Sequence, residues 1–355
     1  MHIDFQKLKD IMKTITKIIL TITALLLIAG CVAAYYVYNM VYAPNISTRD
    51  SQYLYIHNGA DFEQVKKDLY ANFIVEDKEA FERVASLKHF GSNIKPGRYR
   101  IKKSMSNNEL INMLRSGAQE PVQLRINNIR TVQQLCGKVA GQIDVDSATL
   151  YQLLDGGDVL QKYGFDIRTC VAMFIPDTYE MYWNTSERGF VDKMYTNYKN
   201  FWNDTRTQKA KALGLTPLQV STLASIVQCE QSVHREEQPT IAGLYLNRLR
   251  TGMALQSDPT VVFAIGDFSI RRVTGAMLEI DSPYNTYKNI GLPPSPITFP
   301  EKSALEAVLD YDHNDYLYMC AKADFSGKHS FAKTYSQHLQ NAKEYRKALD
   351  KKGIK

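Results

Sequence analysis

The chain has 355 residues, 45% hydrophobic and 23% charged, the composition of an ordinary folded protein long enough for about two domains. Its net charge of +6 is mild. With no lysine-rich arm, zinc-ligand spacing or aromatic–basic RNA signature, it argues against a nucleic-acid partner and fits attraction to an anionic surface such as phospholipid or cell-wall polymer.

Residues 18–38 are almost wholly apolar, enough to span about 30 Å of hydrocarbon as a transmembrane helix. Lys7, Lys9, Lys13 and Lys17 precede them, which assigns 1–17 to the cytoplasm and everything after the span to the outside. Tyr35, Tyr36, Tyr38 and Tyr42 suit the outer interface. Ile28-Ala29-Gly30-Cys31 also reads as a lipobox, an alternative in which cleavage leaves Cys31 lipidated. Residues 39–51, with Pro44, Asn45 and Ser47, read as a linker. Cys136, Cys170, Cys229 and Cys320 have wide, irregular spacings with no metal pattern, as expected of isolated buried thiols.

The fold class expected is α+β, with a small subdomain at 52–118 and a larger mixed domain at 119–355. In the first, Tyr53–Ile56 alternates as a strand, and Asp61 caps a helix to about Ala71. A helix over about Glu79–Phe90, a turn and strand at 96–101, and a helix from Ser106 to Gly117 complete a βααβ unit with one further helix. In the second, a strand from Pro121 to Ile126 precedes helices near Thr131–Ile143 and Ser147–Leu154. Phe174–Tyr179 reads as an aromatic-rich strand or turn. Thr216-Pro217-Leu218-Gln219 is a capping box that opens a helix, and a helix over about Thr240–Arg250 follows. The Pro-, Gly- and Asn-rich stretch Leu255–Pro300 has the character of a loop that lines a site. A basic helix closes the chain at about Thr334–Lys351.

The helix from Thr216 carries Val220, Leu223, Ala224, Ile226 and Val227 at helical spacing, and Glu230 falls on their stripe. A carboxyl there is either a helix-end group that escapes to solvent or a partly desolvated acid with raised pKa, as general acid catalysis near neutral pH requires. Asn247-Arg248-Leu249, Gln256-Ser257-Asp258-Pro259-Thr260 and Tyr284-Asn285-Thr286-Tyr287 offer amides, hydroxyls and rings that suit a neutral sugar, although turn chemistry accounts for such residues equally. His329 and His338 bracket Phe331 and Tyr335 and read as structural. No nucleophile elbow, phosphate loop or zinc-helix motif occurs.

Phe174-Ile175-Pro176-Asp177-Thr178-Tyr179, Ala224-Ser225-Ile226-Val227-x-x-Glu230, Asn247-Arg248-Leu249, Gly252-Met253-x-Leu255-Gln256-Ser257-Asp258-Pro259-Thr260-Val261, Tyr284-Asn285-Thr286-Tyr287, Gly291-Leu292-Pro293-Pro294 and His329-Ser330-Phe331 run in this order. Together they resemble the endolytic murein transglycosylases of the YceG-like type. The βααβ unit is similar to that family's LysM-like subdomain.

The resemblance implies a bacterial enzyme anchored in the cytoplasmic membrane by a single span, with its catalytic domain outside. It would cut nascent peptidoglycan glycan strands internally, leave 1,6-anhydro-MurNAc ends, limit strand length and work beside cell-wall synthases, with no cofactor and no metal. It places the catalytic glutamate on Glu230 and substrate contacts on Asn247, Gln256, Asp258, Thr260, Asn285, Thr286 and Tyr287.

This chain departs from the family pattern at Gln228, where many members are acidic, and at Thr298-Phe299, where members often have Ser-Asn. About 100° per residue puts position 228 some 200° around the helix from Glu230. Two rivals stay open. A muramidase would use a second carboxylate from Glu236, Glu237 or Asp258; a non-catalytic scaffold would bind glycan through the LysM-like unit and tether the synthases.

Overall fold

The computed structural model describes residues 5–48 and 52–353. The first residues of the expected cytoplasmic segment, the end of the expected linker and the last two residues of the chain lie outside them. The chain divides into two compact units: one reaches to Pro121 and takes in Tyr182–Asn184, and the other comprises Val122–Met181 and Thr185 onward.

The first unit begins with one helix, α1 (Phe5–Tyr42), longer at both ends than the expected span. It is apolar enough to cross a membrane. Leu25, Leu26 and Leu27 expose 61, 68 and 66% of their surface, so no protein face covers the apolar middle of this helix, whereas its last turn packs on the helices at Lys78–Leu87 and Asn107–Ser116 through Met40 and Val41. The hydroxyls of Thr14, Thr16, Thr21 and Thr23 donate to carbonyls four residues earlier at 2.8–2.9 Å, which satisfies them without water.

After α1 the structure corrects the linker. Pro44–Thr48 is a strand, β1, and lies in the middle of a three-stranded antiparallel sheet. The reason is tertiary. Ile46 is fully buried, and the Asn45 amide donates to Asp77 O and to Asn107 Oδ1 at 2.8 Å each while accepting from Asp77 N at 2.7 Å. Turn-forming composition concealed this strand because its partners come from far along the chain.

Next come β2 (Tyr53–Ile56), α2 (Phe62–Asn72), β3 (Phe73–Val75), α3 (Lys78–Leu87), β4 (Gly97–Arg100), β5 (Met105–Ser106) and α4 (Asn107–Ser116). β2 pairs with β4, and β1 pairs with β3 and β5. The expected β-α-α-β order therefore holds with β3 inserted between its helices. α3 stops at Leu87, and Phe90 instead plugs the core from a 3-10 turn. Asp61, Asp77 and Ser106 each cap a helix through the backbone N–H three residues on, and Glu109 returns the bond to Ser106 N.

The second unit pairs β6 (Val122–Ile126) with β7 (Asp177–Met181), which shares only Asp177–Tyr179 with the expected Phe174–Tyr179 element and runs on to Met181. Between them lie α5 (Val132–Ala140), α6 (Ser147–Asp155) and α7 (Asp158–Gln161). α8 (Glu187–Phe201), α9 (Asp204–Ala212), α10 (Pro217–Glu230), α11 (Gln238–Arg250), α12 (Asp258–Ile265) and α13 (Lys302–Leu309) follow. A hairpin of β8 (Tyr318–Ala321) and β9 (His329–Ala332) leads into α14 (Tyr335–Lys351).

α10 is the centre of this unit. Every residue from Val220 to Val227 is buried, Ser221, Thr222 and Ser225 included, because α9, α11, α12 and α13 all pack against it. The apolar stripe is thus a cylinder, and the three hydroxyls turn back to helix carbonyls at 2.7–3.0 Å. α11 is crossed so closely by the chain at 312–314 that a Cβ on Gly243 would meet Asp312 O at 2.4 Å. The stretch Leu255–Pro300 is less irregular than its composition suggests, since it contains α12 and a 3-10 turn at Gly275–Glu279.

Candidate active site

The capping box at Thr216 and Gln219 starts α10, and the chain turns extended at Gln231, so Glu230 is the last helical residue. Its side chain emerges where the buried cylinder ends, and Glu230 keeps part of its surface accessible. Oε1 accepts the hydroxyl of Tyr245 at 2.7 Å and that of Ser257 at 2.5 Å. Burial of the carboxyl among these neighbours raises its pKa, against the two donors, which favour the ionised form. The charge of Asp258 pushes the same way as burial, while His329 opposes it. The partial negative charge of a helix C-terminus further disfavours a carboxylate there.

Tyr245 comes from the buried face of α11, and burial raises its own phenol well above the ordinary value, so it acts as a donor throughout the neutral range. Ser257 precedes α12 and is fully buried. Its backbone N–H donates to Thr286 Oγ1 at 3.0 Å, and its carbonyl accepts from Thr260 Oγ1 at 2.7 Å. Neither Tyr245 nor Ser257 figured among the expected site residues. Both sit inside the motif-bearing stretches, yet an apolar context hid Tyr245 and the flanking Gln and Asp overshadowed Ser257.

Of the seven expected substrate contacts, Gln256, Asp258 and Tyr287 keep their side chains at least partly exposed, and Asp258 and Tyr287 lie close enough to Glu230 to interact with it electrostatically. Gln256 is exposed and adopts φ +49°, a left-handed conformation that costs a non-glycine residue about 1 kcal/mol or more. Its N–H is held by Thr286 O at 3.0 Å. Asp258 is exposed and accepts the Tyr287 hydroxyl at 2.6 Å.

The other four are corrected to supporting roles, because their side chains are spent inside the protein. Thr260 and Thr286 are buried and joined hydroxyl to hydroxyl at 2.8 Å. Asn285 is buried and donates to Leu278 O and Ile280 O at 2.8 and 2.9 Å. Asn247 donates to Asn314 O at 2.8 Å and Tyr316 O at 3.2 Å, which fastens the crossing strap to α11.

A cleft of about 750 Å³ opens beside this constellation. Its wall includes Cys229, the chain neighbour of Glu230, and Asp258, the neighbour of Ser257, together with Arg130, Gln228, Phe268 and Phe299. The Gln228 amide donates to Phe299 O at 3.3 Å and accepts from Glu301 N at 2.7 Å, so it faces away from the Glu230 partners yet still borders the cleft. The two departures from the family pattern thus meet in space. Cys136 and Cys170 are buried free thiols as expected, whereas Cys229 is a free thiol exposed at the cleft because it lies on the last, uncovered turn of α10.

The rival carboxylates separate clearly. Glu236 is exposed and paired with Lys328 at 2.8 Å. Burial would raise the Glu237 carboxyl, but the backbone and ring N–H groups of His329 and the Gln231 amide outweigh it and hold the pKa below the ordinary value. Glu237 is thus occupied by structure, and Asp258 alone of the three lines the cleft. His338, on α14, stacks on Tyr318 at 5.5 Å between ring centroids.

The model of the YceG-like family matches residues 54–344. A protein of Bacillus subtilis strain 168 named endolytic murein transglycosylase is 28% identical over 307 residues, covering 82% of this chain and 83% of the relative. One of the same name from Streptococcus pneumoniae serotype 2, strain D39, is 29% identical over 322 residues, but this chain spans only 57% of its length. The 2.6 Å crystal structure of a YceG-like protein from Listeria monocytogenes superposes with a TM-score of 0.54 at 25% identity, covering 81% of this chain and 97% of that one.

Proposed function

This chain belongs to the YceG-like family, and from that premise we propose that it is an endolytic lytic transglycosylase that cleaves the MurNAc–GlcNAc bond of peptidoglycan with Glu230 as its only acid–base group. The observation that carries the reading is the Glu230 carboxyl itself: desolvated enough to hold a proton, accessible enough to deliver it, and beside a cleft. With both hydroxyl donors on Oε1, the proton resides on Oε2.

Oε2 donates that proton to the glycosidic oxygen as the bond to the MurNAc anomeric carbon breaks. The 6-hydroxyl of the same sugar then attacks that carbon, and the ionised Glu230 takes the hydroxyl proton. A 1,6-anhydro-MurNAc end forms, and the enzyme returns to its protonated state without water or cofactor. Developing charge on Glu230 is met by Tyr245 and Ser257, already oriented. Gln256, Asp258 and Tyr287 are proposed to hold the sugar ring and its N-acetyl group.

In this reading α1 is a single membrane span with its lysine-rich end in the cytoplasm, and everything after α1 faces the periplasm or cell exterior. The unit containing residues 52–118 is assigned a LysM-like, glycan-positioning role, and strand shortening beside cell-wall synthases is the proposed task. Digestion of uncrosslinked peptidoglycan strands with products weighed is the test. Ends one water lighter than reducing ends are expected. Reducing ends instead would favour a muramidase using Asp258, the one rival carboxylate in the cleft.

A further inference from the structure

The cleft is more cationic than a neutral sugar chain needs. Arg130, Arg235 and Arg271 line it, against Asp258 and Glu301. Arg235 is already neutralised by Glu301 at 2.8 Å, and the Asp258 carboxylate, bonded to the neutral Tyr287 hydroxyl, offsets only one of the two remaining guanidinium charges. Arg130 and Arg271 are exposed, and among the described residues no carboxylate pairs with either. The Arg130 guanidinium stands over the Phe268 ring at 5.3 Å, which orients it, and its charge reaches the Cys229 thiol one residue before Glu230. Two exposed guanidinium groups lining one cleft without a carboxylate partner suit a carboxylate ligand, since the planar fork matches a carboxylate better than it matches a sugar hydroxyl.

Resting on the transglycosylase reading, we propose that Arg130 and Arg271 bind the free carboxylates of the peptide stem carried by MurNAc, so that the preferred substrate is peptide-bearing and not stripped glycan. In peptidoglycan each stem is amide-linked to the lactyl group of MurNAc and carries its own carboxylates. Catalysis within a strand then requires the stem of the sugar in the cleft to lie against these arginines. Loss of one charge-assisted bond is expected to weaken binding about tenfold. The arginines act on binding and stand apart from the proton transfer at Glu230.

The test uses the full chain in detergent on two substrates: uncrosslinked strands with their stems, and the same strands after an amidase has removed the stems and left only the lactyl carboxylate. The wild type is expected to show a lower KM on stem-bearing strands and anhydro ends from both. The double variant Arg130→Gln, Arg271→Gln should raise KM on stem-bearing strands roughly tenfold or more, with kcat nearly unchanged and no change on stripped strands. Arg271→Gln alone, at an exposed position, should give part of that shift with an unchanged Tm, which guards against a folding defect in the double variant. An equal KM change on both substrates, or none on either, would overturn the proposal. Absence of anhydro ends from the wild type on both substrates would overturn the transglycosylase reading itself, and is read from product mass, not from KM.

Discussion

Ser257 donates its hydroxyl to Oε1 of Glu230 at 2.5 Å across 27 residues of chain, and Tyr245 donates to the same oxygen at 2.7 Å. Both donors favour the carboxylate, so each lowers a pKa that burial raises. Removing either one therefore lifts the pKa further. For Ser257→Ala and Tyr245→Phe, the alkaline limb of the kcat profile, where the acid loses its starting proton, should move to higher pH. One net hydrogen bond of about 1 kcal/mol predicts a fall in kcat at the optimum of roughly fivefold. An unchanged limb in both variants would mean that these hydroxyls do not tune Glu230.

Glu230→Gln keeps the acceptor for both hydroxyls and removes the titrating proton. Cleavage should fall by at least the roughly 10²–10⁴-fold typical of general acid–base catalysis, since one group serves both steps. Stability should move the other way. Because the folded pKa of Glu230 is raised, the folded state holds a proton that the unfolded chain releases, so this group's contribution is full below the unfolded value and is lost as pH rises through the folded one. The Tm of Glu230→Gln should exceed that of the wild type at pH 8, with the gap narrowing towards pH 5. A gap that widens in acid would contradict the raised pKa.

Gln228 both donates to Phe299 O and accepts from Glu301 N, a pairing that an amide satisfies and a carboxylate cannot. Gln228→Glu keeps one bond, loses the other and adds a negative charge near Glu301. A Tm decrease corresponding to about 1 kcal/mol is expected, larger at neutral than at acid pH, with kcat changed far less than in Glu230→Gln. Measuring Tm and kcat together separates this wall-bracing role from a catalytic one, which would show the reverse.

Gly243 lies where 312–314 crosses α11, and a Cβ there would press on Asp312 O at 2.4 Å and Asn314 Nδ2 at 2.4 Å. In an exposed helix Gly→Ala is stabilising. Here it should destabilise by about 1–3 kcal/mol, because it forces the strap off α11 and strains the Asn247–Asn314 bond. Chemical denaturation of Gly243→Ala would read this directly, and a stabilised variant would show that the strap yields freely.

For the anchor, a tag at Lys355 should be cleaved by protease added outside intact cells or spheroplasts, and one at Met1 should be protected. Reversed accessibility would invert the proposed topology. Recovery of Met1 from the mature protein would separately exclude cleavage before Cys31.

Much of the architecture was written locally. Helix starts at Asp61, Ser106 and Thr216 were legible because a cap is a contact between residues three apart. α1 was legible because a long unbroken run of apolar residues, of the length a membrane span demands, stands out in the sequence. Glu230 stood out because a carboxylate breaks an apolar pattern, and its place in a family motif did the rest. β1 was not legible, since Pro44–Thr48 is a strand only by virtue of β3 and β5.

Local sequence likewise put Glu230 on the apolar stripe near the end of its helix, but did not show what it meets there. Tyr245 reaches it from the next helix and Ser257 from the loop beyond, and only packing brings three such segments to one oxygen. The same packing divided the polar motif residues. Asn247, Thr260, Asn285 and Thr286 are consumed by backbone and hydroxyl partners, while Gln256, Asp258 and Tyr287 stay at least partly exposed, the last two bonded to each other. Residue type alone carries no information on that division, because whether an amide or hydroxyl binds a ligand or braces a loop depends on which donors and acceptors the fold has already placed within 3 Å of it.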